Sequence, residues 1–190
     1  MSEPISNKFL TYEQFIAVAE SIKDNTGHVT EYSKGKIYYF SPNARHGKTI
    51  RNLCNILESK LPMSCVVTNE MHIKFTENEY RIPDISVFCG KSIREKAEND
   101  LLYLETPKVV FEVFSESTEE NDRGYKMNLY AEKGIEEYLI IDYKNKLIEQ
   151  YYLYNSSYKL NKKYMNDDVC ILLLYPDVKF ITSEVFKLFI

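Results

Sequence analysis

Residues 107–115 read PKVVFEVFS, an almost unbroken apolar strand bounded by Pro107 and Ser115 and interrupted only by Glu112. An ionised carboxylate there costs several kcal/mol to desolvate unless something compensates. The segment behind it, STEENDRGYKMNLYAEKG (117–134), is the clearest helix of the chain. Ser117 and Glu120 form an S-x-x-E capping box, acids fill the first turn and Gly134 closes the helix. IEEYLIID (135–142) returns as a strand with a strongly apolar end. This succession constrains the chain to an α+β or α/β arrangement.

The flanking segments fit around that block. TYEQFIAVAESIKD (11–24) has Tyr12, Phe15, Ile16, Ala19 and Ile22 at helical spacing, with Thr11 at the N-cap position. Residues 28–42 read as two short strands around Ser33-Lys34-Gly35, with Pro42 and Asn43 breaking the pattern. Residues 44–61 form a second helix with Ile50, Leu53, Ile56 and Leu57 on one stripe. One strand is expected over 65–78 and another over 80–90, then a charged loop with a short helix. KLIEQYYLY and YKLNKKY make a hairpin turning near Asn155-Ser156-Ser157, and ITSEVFKLFI ends the chain as a helix.

At 190 residues the chain is long enough for one sizeable core and cramped for two, so a single domain over 1–190 is expected. The 16 Tyr and 10 Phe favour a sheet-rich fold. A net charge of −4 gives no global basic field, which counts against a binder relying on charge alone. An acidic metal site would itself lower the net charge. The scattered Cys54, Cys65, Cys89 and Cys170 form no metal-knuckle spacing, and reduced thiols are expected. The N-terminal residues lack the pattern of a signal peptide, and the longest apolar run, VCILLLY (169–175), is too short to span a bilayer. The expectation is a cytoplasmic protein with no membrane association. Six glycines stand singly, with no phosphate-binding loop and no G-x-S-x-G elbow. Nucleotide-cofactor and serine-hydrolase readings are therefore disfavoured.

Asp84 is a second carboxylate in an apolar strand, within RIPDISVF. Two such strands side by side would bring Asp84 and Glu112 together, where both could not stay ionised without a cation. Paired carboxylates suit a hard divalent cation such as Mg²⁺. On the helix that follows, Asp122, Lys126 and Tyr130 share one face at i, i+4, i+8. If that face covers the sheet near Glu112, Lys126 reaches the same site.

These features resemble the PD-(D/E)xK nuclease superfamily, and more closely its Uma2 (DUF820) group of restriction-endonuclease-like proteins. The resemblance rests on TEYSKGKIYYFSPNARHGKTIRNL, on RIPDISVFCG, and most specifically on TPKVVFEVFSESTEENDRGYKMNLYAEKGIEEYLIID. It implies an α/β restriction-endonuclease-like core: a central mixed sheet flanked by helices, with an N-terminal helix and hairpin and a C-terminal hairpin. It also implies Mg²⁺-dependent hydrolysis of DNA phosphodiesters, with Mn²⁺ as a substitute, by a homodimer. Asp84 and Glu112 would be metal ligands, with the Val113 carbonyl and Glu31 completing the shell. The superfamily's usual lysine place, two residues after the acid, is held by Phe114. In Uma2-like sequences the lysine has moved to the following helix, which matches Lys126. His46 matches a histidine of the family.

Plainer readings stand beside these. Asp122 with Lys126 is equally an ordinary i,i+4 ion pair, Glu31 a solvated strand residue, and His46 a helix-start or packing residue. The tyrosines at 151, 152, 154 and 158 could stack on bases, although strand propensity accounts for them. Lys144, Lys146, Lys159, Lys162 and Lys163 gather around the C-terminal hairpin, as a phosphate-contacting patch or a solvated face. Two other functions compete with catalysis: a nucleic-acid-binding or regulatory protein that keeps the fold without activity, and an interaction domain whose acids are merely ion-paired.

Overall fold

The computed structural model describes residues 9–41, 43–114 and 121–188. The Glu112 strand, β7 (Val109–Phe114), is buried along its whole length. Its neighbours explain why. It pairs antiparallel with β6 (Ile85–Cys89) and parallel with β8 (Glu137–Asp142), inside a six-stranded sheet. That sheet is completed by β3 (Cys65–Asn69) beyond β6, and by β9 (Leu147–Tyr154) and β10 (Ser157–Met165) beyond β8. The sheet is mixed, with one parallel pair at its centre.

Both faces of β7 are covered, which is why its sequence is apolar without alternation. Val109, Phe111 and Val113 pack against Ile50, Leu53 and Leu57 of α2 (Ala44–Lys60). Behind them lie α5 (Thr182–Val185) and the small sheet of β11 (Val169–Ile171) and β12 (Lys179–Ile181). On the other face, Val110 and Phe114 pack with Leu129 and Tyr130 of α4 (Met127–Glu132) and with Ile93 of α3 (Ile93–Glu98). Glu112 shares the parity of Val110 and Phe114, and so points to the α4 side.

A second, four-stranded sheet is ordered β2-β1-β5-β4, comprising β1 (Val29–Ser33), β2 (Lys36–Phe40), β4 (Ile73–Thr76) and β5 (Glu79–Arg81). Helix α1 (Tyr12–Thr26) covers one face, burying Phe15 and Ala19 against Tyr32 and Tyr80. Thr11 caps α1 through a capping box with Gln14. The β1–β2 turn places Lys34 and Gly35 at φ 48° and 82°, the left-handed pair that suits a two-residue hairpin.

The mixed sheet flanked by helices matches the expected α/β architecture, including the N-terminal helix and hairpin and the hairpin of β9 and β10. Several local expectations change. The strand expected over 65–78 is two strands, β3 and β4, because Glu70 takes a left-handed φ of 48° and turns the chain into the other sheet. The strand over 80–90 breaks at Pro83-Asp84 for the same purpose, giving β5 to one sheet and β6 to the other. Helix 117–134 begins, within the described residues, as a π-helical turn at Asn121–Lys126 that runs into α4. Its Ser117–Glu120 capping box lies outside the described residues. Gly134 does close α4: at φ 77° it lets its own N–H reach Ala131 and that of Ile135 reach the Tyr130 carbonyl. The terminal helix is short, and the β11–β12 pair was not expected.

The expectation of four reduced thiols is corrected. Antiparallel register sets Cys65 directly opposite Cys89, and the two are joined by a disulfide. They are 24 residues apart, and only the β3–β6 pairing brings them together. Cys54 and Cys170 are free. Among the described residues no helix is long and apolar enough to cross a membrane.

Candidate active site

The antiparallel register of β6 and β7 brings Asp84, at the entry to β6, beside the C-terminal half of β7. The Asp84 carboxylate accepts a 2.6 Å hydrogen bond from the Val113 N–H. It also lies 3.3 Å from His46 Nε2, on the first turn of α2. Asn43 caps that helix by accepting from the His46 N–H at 3.0 Å, so the cap itself orients the histidine. Burial lowers the His46 pKa, the Asp84 hydrogen bond and charge raise it by more, and the net shift is upward. His46 Nδ1 is buried without a hydrogen-bond partner among the described residues.

Glu112 is 2 % exposed. Its Oε1 accepts from the Tyr130 hydroxyl at 2.6 Å, and its Oε2 lies 3.2 Å from Lys126 Nζ. The expected helical face of Asp122, Lys126 and Tyr130 is therefore turned onto Glu112, although the π-helical turn winds its first part more widely. Lys126 Nζ also lies 3.2 Å from Glu31 Oε1 and 3.4 Å from Asp122 Oδ1. One buried ammonium is thus surrounded by three carboxylates. Burial raises the Glu112 pKa well above its ordinary value; Lys126 opposes this, while Asp122, Asp84 and Glu31 add to it. Burial lowers the Lys126 pKa, but Glu112, Glu31 and Asp122 carry it well above normal, so it is held as an ammonium. Tyr130 is held protonated by burial and by the charge of Glu112.

Glu31 is 1 % exposed, so it is not the solvated strand residue of the plainer reading. Its Oε2 takes a 2.9 Å ion pair from Arg81 Nη1, and its Oε1 accepts from the Ile82 N–H at 3.2 Å. Arg81 also holds Glu79 at 2.7 Å, and its guanidinium lies 4.8 Å from the centroid of the Tyr125 ring. This buried Glu31–Arg81–Glu79 layer on one face of the four-stranded sheet escaped the sequence reading. Its local sign was legible, since Glu79 and Arg81 flank the core residue Tyr80 at period two, but the partner Glu31 is 50 residues away from Arg81. Asp122–Lys126 is an i,i+4 pair, as the plainer reading had it, yet a buried one inside the cluster.

A cavity of about 390 Å³ opens onto the cluster, and Glu31, His46, Asp84, Glu112, Val113, Asp122 and Lys126 all line it, with Glu70 and Asn43 at its wall. Phe114, in the superfamily's usual lysine place, packs instead in the core on the α4 side. His72, expected on the polar face of its strand, is half-buried with its ring against Phe15 at a centroid distance of 5.2 Å. His28 does not line this cavity, although its ring stands 5.6 Å from that of Tyr39, which does. Of the tyrosines considered for base stacking, Tyr151 and Tyr158 pack on Tyr138, as strand residues do.

The two-sheet α/β fold with acids from neighbouring strands and a lysine from the crossover helix defines a restriction-endonuclease-like protein. The family model Uma2, described as "Putative restriction endonuclease", matches residues 12–182, and the chain belongs to that family. Over 131 residues the chain is 30% identical to an uncharacterized protein of Synechocystis sp. strain PCC 6803, covering 64% of this chain and 65% of that relative's length. The fold is similar to the crystal structure of a "putative nuclease belonging to DUF820" from Anabaena variabilis. The TM-score is 0.74 at 18% identity, over 93% of this chain and 97% of the other.

Proposed function

We propose that the chain hydrolyses DNA phosphodiester bonds at the Asp84–Glu112–Lys126 cavity, with a divalent cation, Mg²⁺ or Mn²⁺, held by the two carboxylates. One observation carries the reading. Two acids from adjacent strands and a buried lysine from the crossover helix meet at the wall of a cavity large enough to admit part of a substrate.

Among the described residues no three His, Cys, Asp or Glu side chains converge on one ion position. The fit rests on donor chemistry. Asp84 and Glu112 offer hard oxygen ligands to one cavity, and the acids around Lys126 outnumber its single charge. The Val113 carbonyl and Glu31 are the further ligands of this proposal, with Glu31 already committed on one oxygen to Arg81. When bound, the cation supplies Lewis-acid activation of water and neutralises charge on the scissile phosphate. Lys126 donates N–H to a phosphate oxygen or to the attacking water, in a site that its carboxylate cage keeps preorganised. Tyr130 fixes one Glu112 oxygen, leaving the other to face the cavity and Lys126. His46 orients Asp84 from the far side. Cutting both strands of a duplex with this kind of site usually calls for two active sites, and a homodimer is part of the proposal.

The test is nicking of supercoiled plasmid in Mg²⁺ or Mn²⁺ by the wild type and by Glu112→Ala. Loss of nicking in the variant is expected, and equal nicking by both would end this reading. A second reading, a fold kept for nucleic-acid binding without catalysis, draws on the absence of lysine at Phe114 and on the saturation of Lys126 by three carboxylates. It predicts plasmid binding by both proteins with cleavage by neither.

A further inference from the structure

A second cavity, of about 410 Å³, is lined by Arg45, Thr49, Tyr143, Lys146, Phe186 and Lys187 together with Leu188. Arg45, Lys146 and Lys187 are exposed, and none takes part in an ion pair among the described residues. In a chain of net charge −4, three cations without an ion pair among the described residues line this one cleft. Asp142, beside the cleft residue Tyr143 in the chain, is spent on its own turn: it accepts from the backbone N–H groups of Lys144 and Asn145 and from the Asn145 side chain. The first turn of α2, which contributes Arg45, contains no acidic residue.

Lys146 sits in the β8–β9 turn at a left-handed φ of 53°, as Lys34 does at 48° in the β1–β2 turn, and the turn conformation sets where its side chain leaves the backbone.

The cleft is also next door to the first cavity. Arg45 and His46 are consecutive residues, one lining each. Asn43 lines the first cavity and donates a 2.8 Å hydrogen bond to the hydroxyl of Tyr143, which lines the second. A polyanion seated in one would pass across this shared wall into the other.

We propose that the Arg45–Lys146–Lys187 cleft binds a backbone phosphate of the same nucleic-acid strand whose scissile phosphate occupies the Asp84–Glu112 cavity. This rests on the nuclease reading for the identity of the strand. Arg45 and Lys187 contact the phosphate oxygens from α2 and from the chain beyond α5, and Lys146 contacts them from the β8–β9 turn. Binding there fixes the strand's register and is insensitive to its base sequence.

The experiment is fluorescence anisotropy with a labelled duplex DNA in EDTA, where no cleavage occurs, over a series of salt concentrations. The full chain is compared with the double variant Arg45→Gln/Lys146→Asn, in which Asn tolerates the left-handed backbone. A second double variant, Lys60→Gln/Lys91→Gln, removes the same charge elsewhere. The expected result is a loss of about tenfold or more in affinity at ~0.1 M salt, with the slope of log K against log salt flattened by about 2. The Lys60/Lys91 variant keeps the wild-type slope. Wild-type affinity and slope in the Arg45/Lys146 variant would overturn the cleft while leaving the nuclease reading standing. Equal weakening in both double variants, or no DNA binding by the wild type, would overturn it as well. Conversely, lost binding in the Arg45/Lys146 variant alongside nicking that ignores Glu112→Ala would keep the cleft and remove the catalytic site.

Discussion

Neighbouring strands β7 and β8 each bury a glutamate, and the two side chains are treated very differently. Glu112 is met by a lysine ammonium and a tyrosine hydroxyl at the wall of a cavity. Glu137, 0 % exposed, lines neither cavity. Its Oε1 accepts from Gln150 Nε2 at 2.6 Å, and its Oε2 from the N–H groups of Leu173 and Leu174 at 3.0 and 3.2 Å. Gln150 is in turn fixed by Asn161 and Tyr164. Glu137 is a strut that ties the segment after β11 to the sheet. A buried carboxylate is therefore no sign of chemistry by itself. The combination of a buried ammonium, further acids and access to a cavity separates Glu112 from its neighbour.

The largest expected effect breaks the cage at its cation. Lys126→Ala leaves Glu31, Glu112 and Asp122 facing one another in a buried site, and removing one partner of such a pair costs about 3–5 kcal/mol. Urea unfolding measures it. A loss below about 1 kcal/mol would mean that solvation from the cavity or protonation of the acids makes up for the missing ammonium.

The middle effect sharpens the role of the hydroxyl. Tyr130→Phe keeps the ring against Phe75 and Tyr138 but removes the 2.6 Å donor to Glu112. A hydrogen bond to a charged group is worth about 1.5–3 kcal/mol, so a stability loss in that range is expected by the same measurement. Unchanged stability would place the hydroxyl outside the network that holds Glu112.

The contrast also shows how far the sequence could be read. Asp122, Lys126 and Tyr130 share a helical face by local spacing, and their convergence on Glu112 followed from that spacing plus one assumption, that the helix covers its own preceding strand. Asp84 needed only the adjacency of β6 and β7. Glu137 passed unnoticed in IEEYLIID, because its partners Gln150, Leu173 and Leu174 come from segments whose pairing no local pattern announces. The same holds for Arg81 with Glu31 and for Cys65 with Cys89, which meet through sheet register. The splitting of 65–78 and 80–90 was missed for another reason: hydrophobic alternation reads continuously across a turn, and the left-handed residue at the first break is Glu70, not a glycine.

The smallest effect concerns Glu137 and tests the strut directly. Glu137→Gln can still accept from the Leu173 and Leu174 N–H groups, but its new amide N–H₂ faces the Nε2 donor of Gln150. Gln150 cannot simply turn its oxygen round, since that oxygen already accepts from Asn161 and Tyr164. A cost of about 1–3 kcal/mol follows from the donor left unmatched, with plasmid nicking unchanged. The pH dependence separates this site further from a surface carboxylate. Burial raises the Glu137 pKa above its ordinary 4.5, more than the three hydrogen bonds lower it. The folded state then holds the proton more tightly than the unfolded chain does. The stabilisation is complete below the unfolded value and is lost as pH rises through the raised folded value. The stability gap between wild type and Glu137→Gln should therefore be widest in acid and narrow as pH rises across that window. A gap that instead widens with pH would mean that the three N–H donors outweigh burial and hold Glu137 ionised.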